Sequence, residues 1–143
     1  MRIEHELTIP APIEDVWALT IDVESWPSLT PTMTSVERLD HGQFGVGSRA
    51  RIVQPKQRPR VWTVTRFDAP HRFEWEAKVG PITMTGGHEL TAVGERETRN
   101  RLTLDVAGFG SALLGRVAGR QLAAAIATEN EGFRTAAGGV AAP

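Results

Sequence analysis

The feature that most constrains the fold is a long helical segment near the end of the chain, over residues 111–137. Its apolar residues recur at the three- and four-residue spacing of one helix face. At 1.5 Å per residue this helix would span about 40 Å. It follows a segment, residues 33–106, in which alternating patterns and turn signals predict six strands. The chain must therefore place one long helix against one sheet.

The first thirty residues complete the predicted architecture. Residues 2–9 alternate strictly between apolar and polar, which predicts a half-buried strand. Pro12 favours the start of a short helix, and Asp22 is expected to cap a second one that Pro27 stops. The sequence thus predicts an α+β fold, in which a seven-stranded curved antiparallel sheet wraps around the C-terminal helix. One helix covers a curved sheet incompletely, so we expect an internal cavity in a single domain over 1–137, with 138–143 as a flexible tail.

Composition excludes several classes of function. The chain has 143 residues, a net charge of −1 and no cysteine, so disulfides, thiolate metal sites and cysteine nucleophiles are excluded. The near-neutral charge gives no reason to expect nucleic acid as a partner. The charged, alternating N-terminus is unlike a signal peptide, and no apolar run is long enough to span a membrane. We therefore predict a cytoplasmic protein without a stable membrane anchor, either a monomer or a homodimer.

Glu129 is the most unusual residue of the long helix. It lies near the centre of the apolar arc, and an unpaired buried carboxylate is costly. One hypothesis is a ligand-facing acid or anchor; the alternative is a pair with an arginine at the sheet edge, or a hydrogen bond from a loop amide. The arc as a whole comprises Ala118, Leu122, Ala125, Ile126, Glu129, Phe133 and Ala136.

The first half of the same helix presents small residues to the sheet, among them Gly115 and Ala118. These residues either leave room for a ligand or allow close packing of the helix. Trp62 and Trp75, on neighbouring strands, are either core or the wall of a cavity on which a flat ligand could stack. Trp26 is interpreted as a plug beside the short helices.

Two histidines are candidates for acid–base chemistry. If Met84 and Leu90 face inward, strand alternation places His88 inward with them. His88 is then either a general acid or base, or a hydrogen-bond donor to a ligand, or a histidine held by a neighbouring side chain. The same alternatives apply to His5, on the apolar face of the first strand.

Metal and phosphate sites are not indicated. There is no HxxxH or HxH pattern, and only a convergence of His5, His88 and Glu129 could supply a metal site. We therefore predict no metal and no cofactor. The glycine-rich segment 42–48 lacks the lysine and helix of a phosphate-binding loop and is interpreted as a hairpin. The basic segment 56–60 is interpreted as a solvated turn.

Four segments in order, 9–31, 44–55, 62–77 and 113–134, resemble the SRPBCC superfamily. This superfamily has the helix-grip fold shared by the birch-pollen allergen and START lipid-transfer domains, and the resemblance is strongest to its polyketide cyclase/dehydrase branch. It implies binding of a hydrophobic small molecule such as a lipid, isoprenoid or polyketide-like compound. The alternatives are a cyclase or dehydratase that uses His88 and Glu129, and a protein-interaction module.

For the first interpretation, the residues expected to bind the ligand are those assigned to the inner faces of the sheet and the long helix. They are His5, Trp62, Trp75, Met84, His88, Gly115, Ala118, Leu122, Ile126 and Glu129.

Overall fold

A computed structural model describes residues 1–138 and contains seven strands, two α-helices and one 3₁₀ helix. The helices are α1 (Ile13–Ile21), the 3₁₀ helix (Val23–Ser28) and α2 (Ser111–Ala137). The strands are β1 (Arg2–Ile9), β2 (Ser35–Arg38), β3 (Arg49–Val53), β4 (Arg60–Asp68), β5 (Arg72–Val79), β6 (Ile82–Gly94) and β7 (Glu97–Gly108).

The strands form one antiparallel sheet in the order β1-β7-β6-β5-β4-β3-β2. Consecutive strands from β2 to β7 are neighbours, while β1 pairs with β7 at the far edge. This meander connects each strand directly to its neighbour, and the longest connection is residues 39–48 between β2 and β3. The predicted α+β architecture, with seven antiparallel strands and a long C-terminal helix, is confirmed.

Helix α2 is attached to one side of the sheet. It packs against β1, β7 and α1, and its buried residues Ile126, Asn130 and Phe133 face these elements and the core. Asn130 fixes the register, because its amide nitrogen donates to the backbone oxygens of His5 (3.1 Å) and Asn100 (3.1 Å). Residues of β3 to β6 and of α2 line a common cavity, so that the inner face of the sheet is only partly covered there.

The second short helix differs from the prediction. Residues Val23–Ser28 form a 3₁₀ helix, and Pro27 lies inside it instead of stopping it. Asp22 does not cap a backbone amide; its carboxylate accepts a hydrogen bond from the Ser25 hydroxyl at 2.7 Å. A six-residue 3₁₀ helix leaves few amides to cap, and Pro27, the fifth of its six residues, lies next to its end.

The predicted tail begins at Gly138, which is buried. The amide of Gly138 donates to the Arg134 carbonyl oxygen at 3.0 Å, and a side chain there would collide with Pro10. The remainder of the predicted tail, 139–143, lies outside the described residues. The domain boundary at 137 stays a prediction.

Candidate functional site

A cavity of about 640 Å³ lies between the inner face of the sheet and helix α2. Aromatic and aliphatic side chains dominate its wall, and its opening lies between the β3–β4 turn and Gln121 of α2, where Pro55, Lys56 and Gln57 are exposed. A concave, mostly apolar site with few polar groups is typical of small-molecule binding.

Eight of the ten residues predicted to bind a ligand line this cavity. Met84 and His88 lie on the inner face of β6, as alternation with Leu90 indicates, and Trp62 and Trp75 stand side by side with ring centroids 5.9 Å apart. The eight are Trp62, Trp75, Met84, His88, Ala118, Leu122, Ile126 and Glu129.

His5 and Gly115 are not part of the cavity wall. The Nδ1 atom of His5 lies 3.0 Å from the amide nitrogen of Asn130, so this ring belongs to the contact between β1 and α2. Gly115 lies against the Met1 side chain, which occupies the space a side chain at position 115 would need. One feature places both residues away from the cavity: the edge strand β1 and Met1 lie directly against the helix, and the open space lies on the other flank.

Glu129 is held by a loop hydroxyl. The Thr32 hydroxyl, between the 3₁₀ helix and β2, donates to Glu129 Oε1 at 3.1 Å. Among residues 1–138 no arginine pairs with Glu129, so the alternative of a sheet-edge arginine is not found there. Burial raises the pKa of Glu129 to about 7, and the hydrogen bond from Thr32 opposes the rise. The carboxyl group can therefore exchange a proton near neutral pH.

The loop that carries Thr32 is fixed from two sides. The side-chain amide of Gln54 donates to the Thr32 carbonyl oxygen at 3.3 Å, which joins the loop to the mouth of the cavity. On the other side the Leu29 carbonyl oxygen lies directly over Gly132 of α2, where only a glycine fits. The position of Glu129 thus depends on contacts made 97 residues away along the chain.

His88 is buried among rings. Its imidazole stacks on Phe73 with ring centroids 4.8 Å apart and an interplanar angle of 4°, and Trp26 lies 5.2 Å away. Burial lowers its pKa to about 3, so the ring is neutral over the physiological range. Its Nδ1 atom has no hydrogen-bond partner among the described residues. A neutral imidazole in the cavity wall can donate one hydrogen bond to a bound molecule or accept one from it.

Three further residues line the cavity although the sequence reasoning assigned them elsewhere. Trp26, interpreted as a plug, forms part of the wall, and Lys56 and Arg60, interpreted as a solvated turn, line the mouth. For Arg60 a signal was present: it precedes Trp62 by two residues on β4, so alternation places both on the inner face. The signal was hidden by the run of charged and proline residues before it.

Within residues 1–138 no three potential ligands come together as a metal site. His5, on β1, contacts Asn130 of α2 and does not line the cavity that His88 and Glu129 share. The open sheet, the single long helix packed against it and the apolar cavity between them define a helix-grip protein of the SRPBCC class.

Comparison with known proteins gives the family. The sequence model of the family described as "Polyketide cyclase / dehydrase and lipid transport" matches residues 1–138, and the chain belongs to this family. A protein from Streptomyces halstedii, whose name proposes a polyketide cyclase, is 38% identical over 63 residues. That match covers 42% of this chain and 54% of the relative, so the chain spans about half the length of the relative.

Solved structures share the fold. The Zhui aromatase/cyclase from Streptomyces sp. R1128 superposes with a TM-score of 0.68 at 22% identity, covering 95% of each chain. A START superfamily protein from Mycobacterium smegmatis superposes with a TM-score of 0.74 at 15% identity, covering 94% of this chain and 97% of the other. At these identities the likeness shows the fold alone.

Three exposed apolar side chains lie near the start of α2. Phe109, Leu113 and Val117 are 88%, 64% and 72% exposed, and an exposed apolar patch is the sign expected of an interaction module. The interaction-module hypothesis and the prediction of a monomer or homodimer stay predictions. No helix in the described part of the chain is long and apolar enough to cross a membrane.

Proposed function

We propose that this protein binds a flat hydrophobic small molecule in the cavity between the sheet and helix α2. The observation that carries the proposal is the cavity itself, about 640 Å³ and walled by Trp26, Trp62 and Trp75. Indole rings offer large rigid apolar faces on which a flat ligand stacks. The family's description, which names both cyclases and lipid transport, agrees with a hydrophobic ligand.

The test is a titration with the neutral fluorescent probe N-phenyl-1-naphthylamine. We expect saturable binding at one site, and a rise in melting temperature with probe concentration because the probe binds only the folded chain. The variant Ala118→Trp/Ala125→Trp fills the cavity from α2. Its affinity for the probe should therefore be at least about tenfold lower than that of the parent.

The matched control is Ala123→Trp/Ala124→Trp, which adds the same side chains at exposed positions of the same helix. It should bind the probe as the parent does. Absence of saturable binding to the parent, or equal affinity of the filled and control variants, would contradict the proposal.

A second candidate function is proton transfer on a bound polyketide-like substrate, favoured by Glu129. Its second carboxylate oxygen, Oε2, accepts no hydrogen bond from the described residues, and Glu129 lines the cavity. A carboxylate there can take a proton from the activated methylene of a 1,3-diketone, leaving an enolate, and return a proton to the same carbon. The neutral His88 can donate a hydrogen bond to the enolate oxygen.

Deuterium exchange at the methylene of bound 1-phenyl-1,3-butanedione tests this candidate. Glu129→Gln should remove the protein-dependent exchange while probe binding persists, and His88→Ala should reduce it. Glu131→Gln, an exposed acid two residues along α2, is the control and should exchange as the parent does. Equal exchange by Glu129→Gln and the parent would exclude Glu129 as the base.

A further inference from the structure

Arg60 lies on the inner face of the sheet, at the mouth of the cavity. It pairs with Ile52 across β3 and β4, and directly opposed residues of an antiparallel pair point to the same face. Ile52 is 4% exposed, and Trp62, two residues along β4, is 9% exposed. Arg60 is therefore a half-buried arginine on the apolar inner face, not a residue of the outer surface.

Arg60 has no acidic partner among residues 1–138. Its guanidinium donates one hydrogen bond, from Nη1 to Gln57 Oε1 at 2.9 Å, which leaves most of its five donors unused. Two arginines of the outer face differ in this respect: Arg51 pairs with Glu37 at 3.0 Å, and Arg101 pairs with Glu6 at 3.2 Å.

Lys56 adds a second cation at the same mouth. It lines the cavity at the β3–β4 turn and forms no ion pair with an acid of the described residues. Glu129, the acidic residue of the cavity wall, is engaged by Thr32 and not by either cation. Two uncompensated cations at the mouth of an apolar cavity favour a ligand that carries negative charge at one end.

We propose that the ligand is an acidic amphiphile: a flat hydrophobic body in the cavity with one anionic group, such as a carboxylate or sulfonate, at Arg60 and Lys56. This inference rests on the proposed function and adds to it the charge and orientation of the ligand. Arg60, with a planar fork of donors, binds the anionic group, while Lys56 supplies a second charge from the exposed side.

The experiment compares two probes that differ by one group. 8-Anilinonaphthalene-1-sulfonate carries a sulfonate on the skeleton of the neutral N-phenyl-1-naphthylamine, so the pair isolates the contribution of the charge. We expect Arg60→Gln to weaken binding of the sulfonate about tenfold, the usual lower limit for loss of a charge-assisted hydrogen bond. The same variant should bind the neutral probe within about twofold of the parent.

Two variants complete the test. Arg58→Gln removes a cation of the same turn that does not line the cavity, and it should change sulfonate affinity by less than about twofold, as expected for an exposed charge. Arg60→Lys keeps the charge without the fork and should show an intermediate loss.

The outcomes separate the two proposals. If the neutral probe fails to bind the parent, the proposed function itself is wrong. If it binds, but Arg60→Gln leaves sulfonate affinity unchanged or weakens both probes equally, the acidic-ligand inference is wrong while the cavity remains a binding site.

Discussion

Two titratable side chains of the cavity, His88 buried and Glu129 half-buried, give opposite pH dependences. Glu129 has a pKa raised to about 7, and His88 has a pKa lowered to about 3. Each favours its neutral form, because desolvation disfavours charge. Above about pH 4.5, Glu129 keeps a proton in the folded chain that it loses in the unfolded chain. Below about pH 6.5, His88 stays neutral in the folded chain but binds a proton in the unfolded chain.

For Glu129 the expected consequence is a loss of stability as pH rises from about 4.5 to about 7. Glu129→Gln removes this loss, so the variant should gain up to about 3 kcal/mol relative to the parent between pH 4.5 and 7.5. Urea unfolding at the two pH values measures it. Glu131→Gln serves as the control; a gain there as large as that of Glu129→Gln would show that the effect does not come from burial.

For His88 the sign is reversed, and stability is lost as pH falls from about 6.5 toward 3. His88→Phe cannot take up a proton, so the difference in unfolding free energy between pH 7.5 and 4.5 should shrink by about 2–3 kcal/mol. His41→Asn, in an exposed loop, should leave that difference unchanged. A ¹⁵N spectrum showing His88 protonated at pH 5 would contradict the prediction directly.

Two glycines on helix α2 separate packing from helix propensity. A methyl group at Gly132 would overlap the carbonyl oxygen of Leu29, whereas one at Gly119 meets no atom within 4 Å. The first glycine is required by the close approach of the loop that carries Thr32. The second costs the helix conformational entropy without an evident packing benefit.

We therefore expect Gly119→Ala to stabilise the protein by about 0.5–1 kcal/mol and Gly132→Ala to destabilise it by about 1–3 kcal/mol. Denaturant unfolding of both variants measures these changes. Because Gly132→Ala displaces the Leu29 segment, it should also disturb the hydrogen bond from Thr32 to Glu129. Equal effects of the two substitutions would show that the Leu29 contact is unimportant.

Local patterns in the sequence were enough to predict the elements. The strict alternation of 2–9 and the helical period of 111–137 give the bounds of β1 and α2, since both patterns are imposed by burial of one face. Contacts between distant segments were not predictable in the same way. The Thr32 partner of Glu129 and the closure of β1 over Gly115 depend on how distant segments meet, which no local pattern records. The inward direction of Arg60, in contrast, follows from its alternation with Trp62 on β4.

At the scale of the whole molecule, the sheet and the helix differ in how firmly they are held. Strands β5 to β7 are bonded on both edges, whereas α2 is attached through β1, β7 and α1 and borders the cavity on its other flank. Segments with few buried contacts open locally at lower free energy. The middle of α2 and the β3–β4 turn are therefore the elements that should respond to a ligand.

Hydrogen–deuterium exchange tests this expectation. Without ligand, amides of residues 118–126 should exchange faster than those of β7. Saturation with N-phenyl-1-naphthylamine should slow exchange in residues 118–126 and in the turn at 54–57, leaving β7 unchanged. Protection spread evenly over the sheet, or none in α2, would contradict the picture of a ligand held under the helix.

Because α2 is attached on one side only, the residues that hold the helix are different from those that form the mouth of the cavity. Register and closure depend on Asn130, Gly132 and β1, while the mouth depends on the β3–β4 turn and the opposite flank of the helix. Substitutions at the mouth can alter which molecule is admitted without disturbing the groups that hold the helix in place. A chain built in this way can acquire a new ligand by changing its turn and keep its fold.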